Sequence, residues 1–262
     1  MRRRHFMRDV GLASTAFAVA GPSRPQAWAT PSAGPEPVDL ELVLAVDVSS
    51  SITSDEMELQ FRGYAAAFKA ADLARRVATG PIGAIACTLF VWSDPEHQQV
   101  LVPWTLIDGA AASTAFAAAI DAAPRATGLY TSISSAIDFA AGLFGRAGFE
   151  GTRRVVDISG DGTDNAARPG RSLAQARTEA LERGIVLNGL AILDPVPPPG
   201  PRSDRRQPLD DYYRDAVIGG PGSFLVVAET FEAFGPAVRR KLAREIAHAP
   251  SAEPRVQRYA AG

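Results

Sequence analysis

The sequence is short of the residues on which two common kinds of site depend. It has one cysteine, Cys87, so no intrachain disulfide can form. Because Cys87 lies inside an apolar run, we predict a buried structural thiol. The three histidines, His5, His97 and His248, are scattered, and no two share a zinc-ligand spacing. These shortages exclude a disulfide scaffold and argue against a histidine-rich zinc site.

Several enzyme and binding motifs are also missing. The sequence contains no G-x-S-x-G nucleophile elbow and no G-x-x-x-x-G-K-[ST] phosphate loop. The formal net charge is −2, and it becomes −6 without residues 1–29, which carry five arginines and one aspartate. A mildly acidic chain with dispersed arginines lacks the basic surface of a nucleic-acid-binding protein. We therefore expect no nucleic-acid partner.

The first residues have the layout of an export signal. A basic start is followed by an uncharged stretch over residues 10–23, and Ala27-Trp28-Ala29 forms a cleavage pattern. The stretch of 14 residues is too short to span a bilayer. The sequence RRHFMR at 3–8 also resembles a twin-arginine signal. We expect a signal peptide over 1–29, a periplasmic or secreted protein, and no direct membrane insertion after cleavage.

Apolar strands alternate with amphipathic helices along the rest of the chain. This alternation predicts an α/β fold with a doubly wound, mostly parallel, six-stranded sheet, helices on both faces and one antiparallel edge strand. We expect a linker over 30–38, one domain over 39–247 with a Pro-rich insert at 194–208, and a tail over 248–262. The predicted strands cover residues 40–46, 82–92, 100–105, 154–159, 185–193 and 223–227. One predicted helix starts at Thr53, and the others cover residues 110–121, 132–146, 169–183 and 230–246.

Hard oxygen ligands follow two of the predicted strands and precede one predicted helix. Asp47, Ser49 and Ser51 come directly after the first strand, and Asp161 lies in a Gly-Asp-Gly turn after the fourth. Thr131 lies just before a helix, where its hydroxyl can cap the helix or bind a metal. Ligands of open α/β sheets bind at the carboxyl ends of the strands. Mg²⁺ is usually bound by a small number of protein oxygens and keeps several waters, so this donor set suits Mg²⁺, with Mn²⁺ or Ca²⁺ as alternatives.

The pattern D-x-S-x-S, then Thr, then Asp-Gly resembles the metal-ion-dependent adhesion site (MIDAS) of the von Willebrand factor A (integrin I-type) family. Four segments are more narrowly similar to an exported bacterial, DUF1194-like branch of that family. One departure is that many members have a threonine directly before the Asp-Gly turn, where this chain has Ser159-Gly160. The four segments are FRGY at 61–64, VPWT at 102–105, RRVVDISGD at 153–161 and YYRDAVIGGP at 212–221.

The resemblance implies a role for each site residue. Ser49, Ser51 and Thr131 would coordinate the ion through their hydroxyls, whereas Asp47 and Asp161 would hold it largely through bound waters. An ion held in this way remains electrophilic and can accept an acidic side chain from a partner protein. The resemblance therefore implies an exported, metal-dependent, protein-binding module and no enzyme activity.

Two alternatives remain open at this point. A magnesium-dependent phosphohydrolase would use Asp47 as a nucleophile, but it generally needs a second carboxylate at position 49 and a lysine for the phosphate. Position 49 is serine, and the only lysines are Lys69 and Lys241. The other alternative is a structural domain of the same fold with a vestigial, metal-free site.

Overall fold

The computed structural model describes residues 34–146, 148–193, 207–247 and 255–260. The expected signal peptide at 1–29 lies outside the described residues. So does the Pro-rich insert, apart from residues 207 and 208. Within the described ranges, no helix combines the length and the apolar character that crossing a membrane requires.

A seven-stranded sheet forms the centre of the described part of the chain, in the order β4-β3-β2-β6-β7-β8-β9. All neighbouring strands run parallel except β4, which pairs antiparallel with β3 at one edge. The fold is therefore the predicted one. The main strands are β2 (Leu40–Asp47), β3 (Ile85–Trp92), β4 (Gln98–Ile107), β6 (Arg154–Gly160), β7 (Ile185–Ile192), β8 (Leu225–Ala228) and β9 (Val256–Tyr259); β1 (Glu36–Val38) and β5 (Phe149–Gly151) form a separate parallel pair.

Two segments correct the predicted organisation. The expected tail at 248–262 contains β9, which pairs with β8 and adds a seventh strand to the six predicted ones. The expected linker at 30–38 contains β1, which pairs with β5. Both strands are short, and each is stabilised by pairing with a strand that is distant in sequence. The local pattern of apolar residues therefore does not predict them.

Helices cover both faces of the sheet, as the alternation predicts. One core packs α1, α2, α3 and α7 against the sheet, and it includes the buried Cys87. The second core packs α4, α5 and a π-helical turn, Tyr213–Val217, against the other face. The helices are α1 (Ser54–Lys69), α2 (Ala71–Ala78), α3 (Ala110–Ala122), α4 (Ile133–Leu143), α5 (Leu173–Glu182), α6 (Leu209–Tyr212) and α7 (Phe234–Ile246), with a 3₁₀ turn at Phe231–Ala233.

Local sequence explains the start of α1, the helix that follows the candidate site. The Thr53 hydroxyl accepts a hydrogen bond from the Glu56 amide, and the Glu56 carboxylate accepts one from the Thr53 amide. This capping box satisfies two amides that the first helical turn leaves free. It therefore fixes where the loop after β2 ends and the helix begins.

An ionic cluster is buried beneath the α7 face of the sheet. The Lys241 ammonium lies 2.5 Å from Asp157 Oδ1 on β6 and 2.5 Å from Glu245 Oε1, and all three side chains are fully buried. Asn188 of β7 also donates to Glu245 Oε1. A buried charge is tolerated when it is paired and hydrogen-bonded. Because Lys241 is enclosed by this pairing, it belongs to the core.

Candidate metal centre

The candidate site lies where two neighbouring parallel strands end. Asp47 is the last residue of β2, and Asp161 follows Gly160, the last residue of β6. The chain leaves β2 for β3 on one side, whereas β6 pairs with β2 on the other. The two loops thus meet at a topological switch point, the position at which open α/β sheets bind ligands.

The turn after β2 holds its oxygen atoms close together. The Ser49 amide donates to Asp47 Oδ1 over 2.8 Å, and the hydroxyls of Ser49 and Ser51 lie 3.2 Å apart. Gln60 of α1 donates to the Asp47 carbonyl over 3.3 Å and ties the turn to the helix behind it. Two hydroxyls and a carboxylate are therefore presented from one short segment.

The turn after β6 joins this segment directly. The Ser51 hydroxyl donates to Asp161 Oδ1 over 2.8 Å. Hydrogen bonds thus connect the predicted donors of the first and third loops in one series, from Asp47 through Ser49 and Ser51 to Asp161. The structure brings these four residues together.

Thr131, the remaining predicted donor, lies beside the turn that carries Asp161. A Cβ built on Gly162 would be 3.2 Å from Thr131 Oγ1, so the threonine is in close contact with this glycine. Ser132 occupies the N-cap position of α4, so Thr131 lies one residue outside the helix and does not cap it. Asn165 fixes its backbone by donating to the Thr131 carbonyl and accepting from the Thr131 amide.

The electrostatics of the site are dominated by Asp47. Its side chain is fully buried, and burial raises the pKa to about 8, with a further contribution from the nearby Asp161 carboxylate. Asp47 Oδ2 has no hydrogen-bond partner within the described residues. A carboxyl group kept from ionising by burial gains strongly from a cation.

The donor set fits a hard divalent cation. It consists of two carboxylates and three hydroxyls, all of them oxygen ligands of the kind that Mg²⁺ prefers. No group of three or more His, Cys, Asp or Glu residues in the described ranges is arranged to hold a metal. A site here would therefore depend on hydroxyl oxygens and would have a low negative charge.

The loop that precedes Thr131 is held by residues that sequence analysis did not single out. The Asp94 carboxylate accepts hydrogen bonds from the amides of Leu129 and Tyr130, at 2.9 and 3.3 Å. The Ser50 hydroxyl donates to the Leu129 carbonyl over 2.7 Å. A Cβ on Gly128 would lie 1.8 Å from Ser93 Oγ, so only glycine allows this close approach. Asp94 lies in an ordinary polar turn, and its sequence context carries no signal for this role.

Two consecutive tyrosines reach the site from the segment after the Pro-rich insert. The Tyr212 hydroxyl accepts a hydrogen bond from the Asp164 amide over 3.2 Å, and the Asp164 carboxylate accepts one from the Ser134 amide at the start of α4. Tyr213 is fully buried, and its hydroxyl has no hydrogen-bond partner in the described part of the chain. Burial, followed by the proximity of Asp47, raises the pKa of Tyr213 well above its usual value. The hydroxyl therefore keeps its proton.

Solved structures with the same fold are found among von Willebrand factor A proteins. Proximal thread matrix protein 1 from the mussel byssus superposes with a TM-score of 0.55 at 15% identity, covering 81% of this chain and 48% of the other. A von Willebrand factor type A protein from Catenulispora acidiphila gives 0.53 at 13% identity, covering 80% and 43%. The pilus adhesin SpaC from Lactobacillus rhamnosus GG gives 0.54 at 14% identity, covering 80% and 31%.

The chain thus spans less than half the length of each of these proteins. No curated protein matches the sequence. At family level, the match extends over residues 37–250 and is to the family described as "Protein of unknown function (DUF1194)". Since this match covers most of the chain, the protein belongs to the DUF1194 family, and its fold is that of a von Willebrand factor A domain.

Proposed function

We propose that the protein is an exported binding module that captures an acidic side chain of a partner protein through a divalent metal ion. One observation carries this proposal: the hydrogen-bonded series from Asp47 to Asp161 lies at the switch point of the sheet and leaves Asp47 Oδ2 without a partner among the residues that the structure describes. A bound cation would compensate that oxygen and neutralise the carboxylate pair.

Each donor has a defined part in this proposal. Ser49, Ser51 and Thr131 hold Mg²⁺ through their hydroxyls, and Asp47 and Asp161 hold it largely through water; Mn²⁺ or Ca²⁺ are the alternatives. When bound, the ion supplies an electrophilic position for a carboxylate of the partner. Without the ion, the Asp161 carboxylate disfavours an incoming carboxylate, as it already disfavours ionisation of Asp47. Capture should therefore depend on metal.

The surface beside the site suits a protein partner. Leu129 and Tyr130 directly precede Thr131, and their side chains are 69% and 56% exposed. Asp94 and Ser50 already hold the backbone of both residues, so binding costs little loop ordering. Exposed apolar and aromatic side chains on a fixed backbone, next to a charged anchor, suit a binding surface.

The structural likenesses support a protein-interaction module. One similar structure of the mussel protein is described as having a zinc-occupied MIDAS motif; it has a TM-score of 0.52 at 15% identity and covers 79% of this chain and 45% of the other. The pilus protein is described as an adhesin. These descriptions make a metal-dependent binding role a reasonable model for this chain, and the signal-like residues 1–29 support its export.

The position of the two lysines disfavours the phosphohydrolase alternative. Lys241 is fully buried between Asp157 and Glu245, and Lys69 lies at the last position of α1, whose first residue follows the site. Neither lysine can neutralise a phosphate at Asp47. Ser49 occupies the position of the required acid, and a serine hydroxyl is too weak an acid for that role.

Calorimetric titration with Mg²⁺ and Mn²⁺ tests the proposal on the wild type, Asp47→Ala and the exposed control Asp108→Ala. We expect saturable one-to-one binding that only Asp47→Ala abolishes. Beads carrying heptapeptides with a central Glu should then retain the protein with Mg²⁺, whereas central-Gln peptides or added EDTA should not. Heatless titrations of the wild type, repeated with acetate, would favour the vestigial site, and Mg²⁺-dependent hydrolysis of a generic phosphoester would favour the enzyme.

A further inference from the structure

Two buried oxygen atoms lie beside Gly160, the last residue of β6. A Cβ built on this glycine would lie 2.7 Å from Asp47 Oδ2 and 2.7 Å from the Tyr213 hydroxyl. Neither oxygen makes a hydrogen bond within the described residues. The two oxygens therefore lie within twice that Cβ distance of each other, a span that one bridging water can cover.

Two unpaired polar atoms in the core would reduce the free energy of unfolding. A buried carboxylate oxygen and a buried hydroxyl both lose their hydration on folding, and leaving either one unpaired destabilises the fold. Phenylalanine would fill the position of Tyr213 without bringing a polar atom into the core. Ordered water commonly satisfies such groups when they lie close together. The tyrosine hydroxyl thus indicates a polar contact directed at Asp47.

We propose that Tyr213 is a positioning residue of the candidate metal site: its hydroxyl donates to a bound water, and that water donates to Asp47 Oδ2. In this arrangement the Ser49 amide fixes Oδ1 of the same carboxylate. The carboxylate plane is then held from both oxygens before the metal arrives. Gly160 has no side-chain hydroxyl of its own, so the Tyr213 hydroxyl supplies the polar group beside Asp47 Oδ2.

The neighbouring tyrosine adds independent support. Tyr212 fixes the loop after β6 through the Asp164 amide, while Tyr213 places its hydroxyl beside Gly160 at the end of β6. One short segment, ending in the π-helical turn, thus contacts two parts of the candidate site. Single π-helical turns occur frequently at functional sites.

Tyr213→Phe tests the inference, with Tyr64→Phe as the matched control. Tyr64 is equally buried, but it lies in the α1 core on the opposite face and donates to Ser159. We expect Tyr213→Phe to weaken Mn²⁺ binding about 5-fold, the effect of one water-mediated hydrogen bond. The Tm of the metal-free protein should change by no more than about 2 °C, because the variant removes a buried hydroxyl and so offsets the lost contact of Asp47. Tyr64→Phe should leave Mn²⁺ affinity unchanged.

Unchanged Mn²⁺ affinity of Tyr213→Phe, or equal weakening by both variants, would overturn the role of Tyr213. This inference rests on the proposed metal site, so a wild type that binds no metal would refute the proposed function first. A high-resolution crystal structure separates the two ideas. Water joining Tyr213 to Asp47 in the wild type, and lost in Tyr213→Phe, supports the positioning role; direct packing without such water excludes it.

Discussion

Ser51 donates a hydrogen bond of 2.8 Å to Asp161, which lies 110 residues further along the chain. This bond connects the loop after β2 with the loop after β6. Both side chains are solvent-accessible, so the bond itself adds little to the stability of the fold. The bond holds a hydroxyl and a carboxylate next to each other at the candidate metal site.

Replacing Ser51 with alanine removes this hydroxyl and should weaken metal binding. We expect Mg²⁺ affinity to fall by about tenfold or more, because loss of a proposed ligand should cost at least as much as loss of a group that only orients a ligand. The Tm of the metal-free protein should change by no more than about 2 °C. Thr79→Ala is the control, because the exposed Thr79 hydroxyl donates to the Arg76 carbonyl at the end of α2 and is outside the donor set. Equal affinities for the two variants would contradict the assignment of Ser51.

Gly160→Ala should damage both the fold and the site. The added Cβ would lie 2.7 Å from Asp47 Oδ2, closer than side-chain carbons approach other atoms. We expect a loss of about 1–3 kcal/mol in the free energy of unfolding, together with weaker metal binding. Gly142→Ala is the matched control, since nothing lies within 4 Å of its Cβ and it falls inside α4. That control should raise stability by roughly 0.5–1 kcal/mol, as denaturant unfolding would show.

The double variant Leu129→Ser/Tyr130→Ser separates partner binding from metal binding. Neither side chain belongs to the donor set, so the calorimetric affinity for Mg²⁺ should match the wild type. Retention on central-Glu peptide beads should fall about tenfold or more, because the apolar contact area beside the metal is lost. Ile82→Ser, an exposed apolar residue elsewhere, is the control. Undiminished retention would show that the partner contacts the metal alone.

The ionic cluster beneath α7 should make stability depend on pH. Burial raises the pKa of Glu245 to about 7, with Asp157 adding to the rise and Lys241 opposing it. Because the folded state holds this proton more tightly than the unfolded state, stability contributed by the protonated group is complete below about pH 4.5. It is lost as the pH rises through about 7. The other ionisable groups that influence the cluster are Tyr64 and Cys87, both buried, and Arg153, which donates to the Glu245 carbonyl.

Glu245→Gln should flatten this profile. Thermal unfolding of the metal-free protein from pH 5 to pH 8 should show a fall of several degrees for the wild type that is smaller in the variant. Each kcal/mol corresponds to roughly 2–4 °C for a domain of this size. The exposed Glu182→Gln serves as control and should follow the wild type. A profile unaffected by Glu245→Gln would assign the pH dependence to other groups.

Sequence patterns were most informative where the structure is locally determined. The buried strands, the Thr53 capping box and the donors after β2 and β6 all follow from short segments whose apolar runs end in polar turns. Because β2 and β6 are parallel neighbours, their following residues had to meet. The metal itself remains a prediction from the chemistry of these donors.

The remaining features depend on contacts between distant segments. Val256–Tyr259 forms a strand because the edge of β8 is available to it, and its own sequence is short and mostly polar. Asp94 acts on amides 35 and 36 residues away. The relation of Tyr213 to Asp47 becomes visible only when the π-helical turn is placed beside Gly160. Such relations are set by tertiary packing, which a local pattern does not encode.

The burial of Lys241 has a practical consequence for studying the protein. Lys69 is the only other lysine, and its side chain is 50% exposed. Amine-reactive dyes and coupling surfaces will therefore attach to a single side chain, in addition to the amino terminus. Lys69 ends the 16-residue helix that starts beside the loops of the candidate metal site, so roughly 24 Å separates it from them. A molecule immobilised through Lys69 will present those loops to free solution.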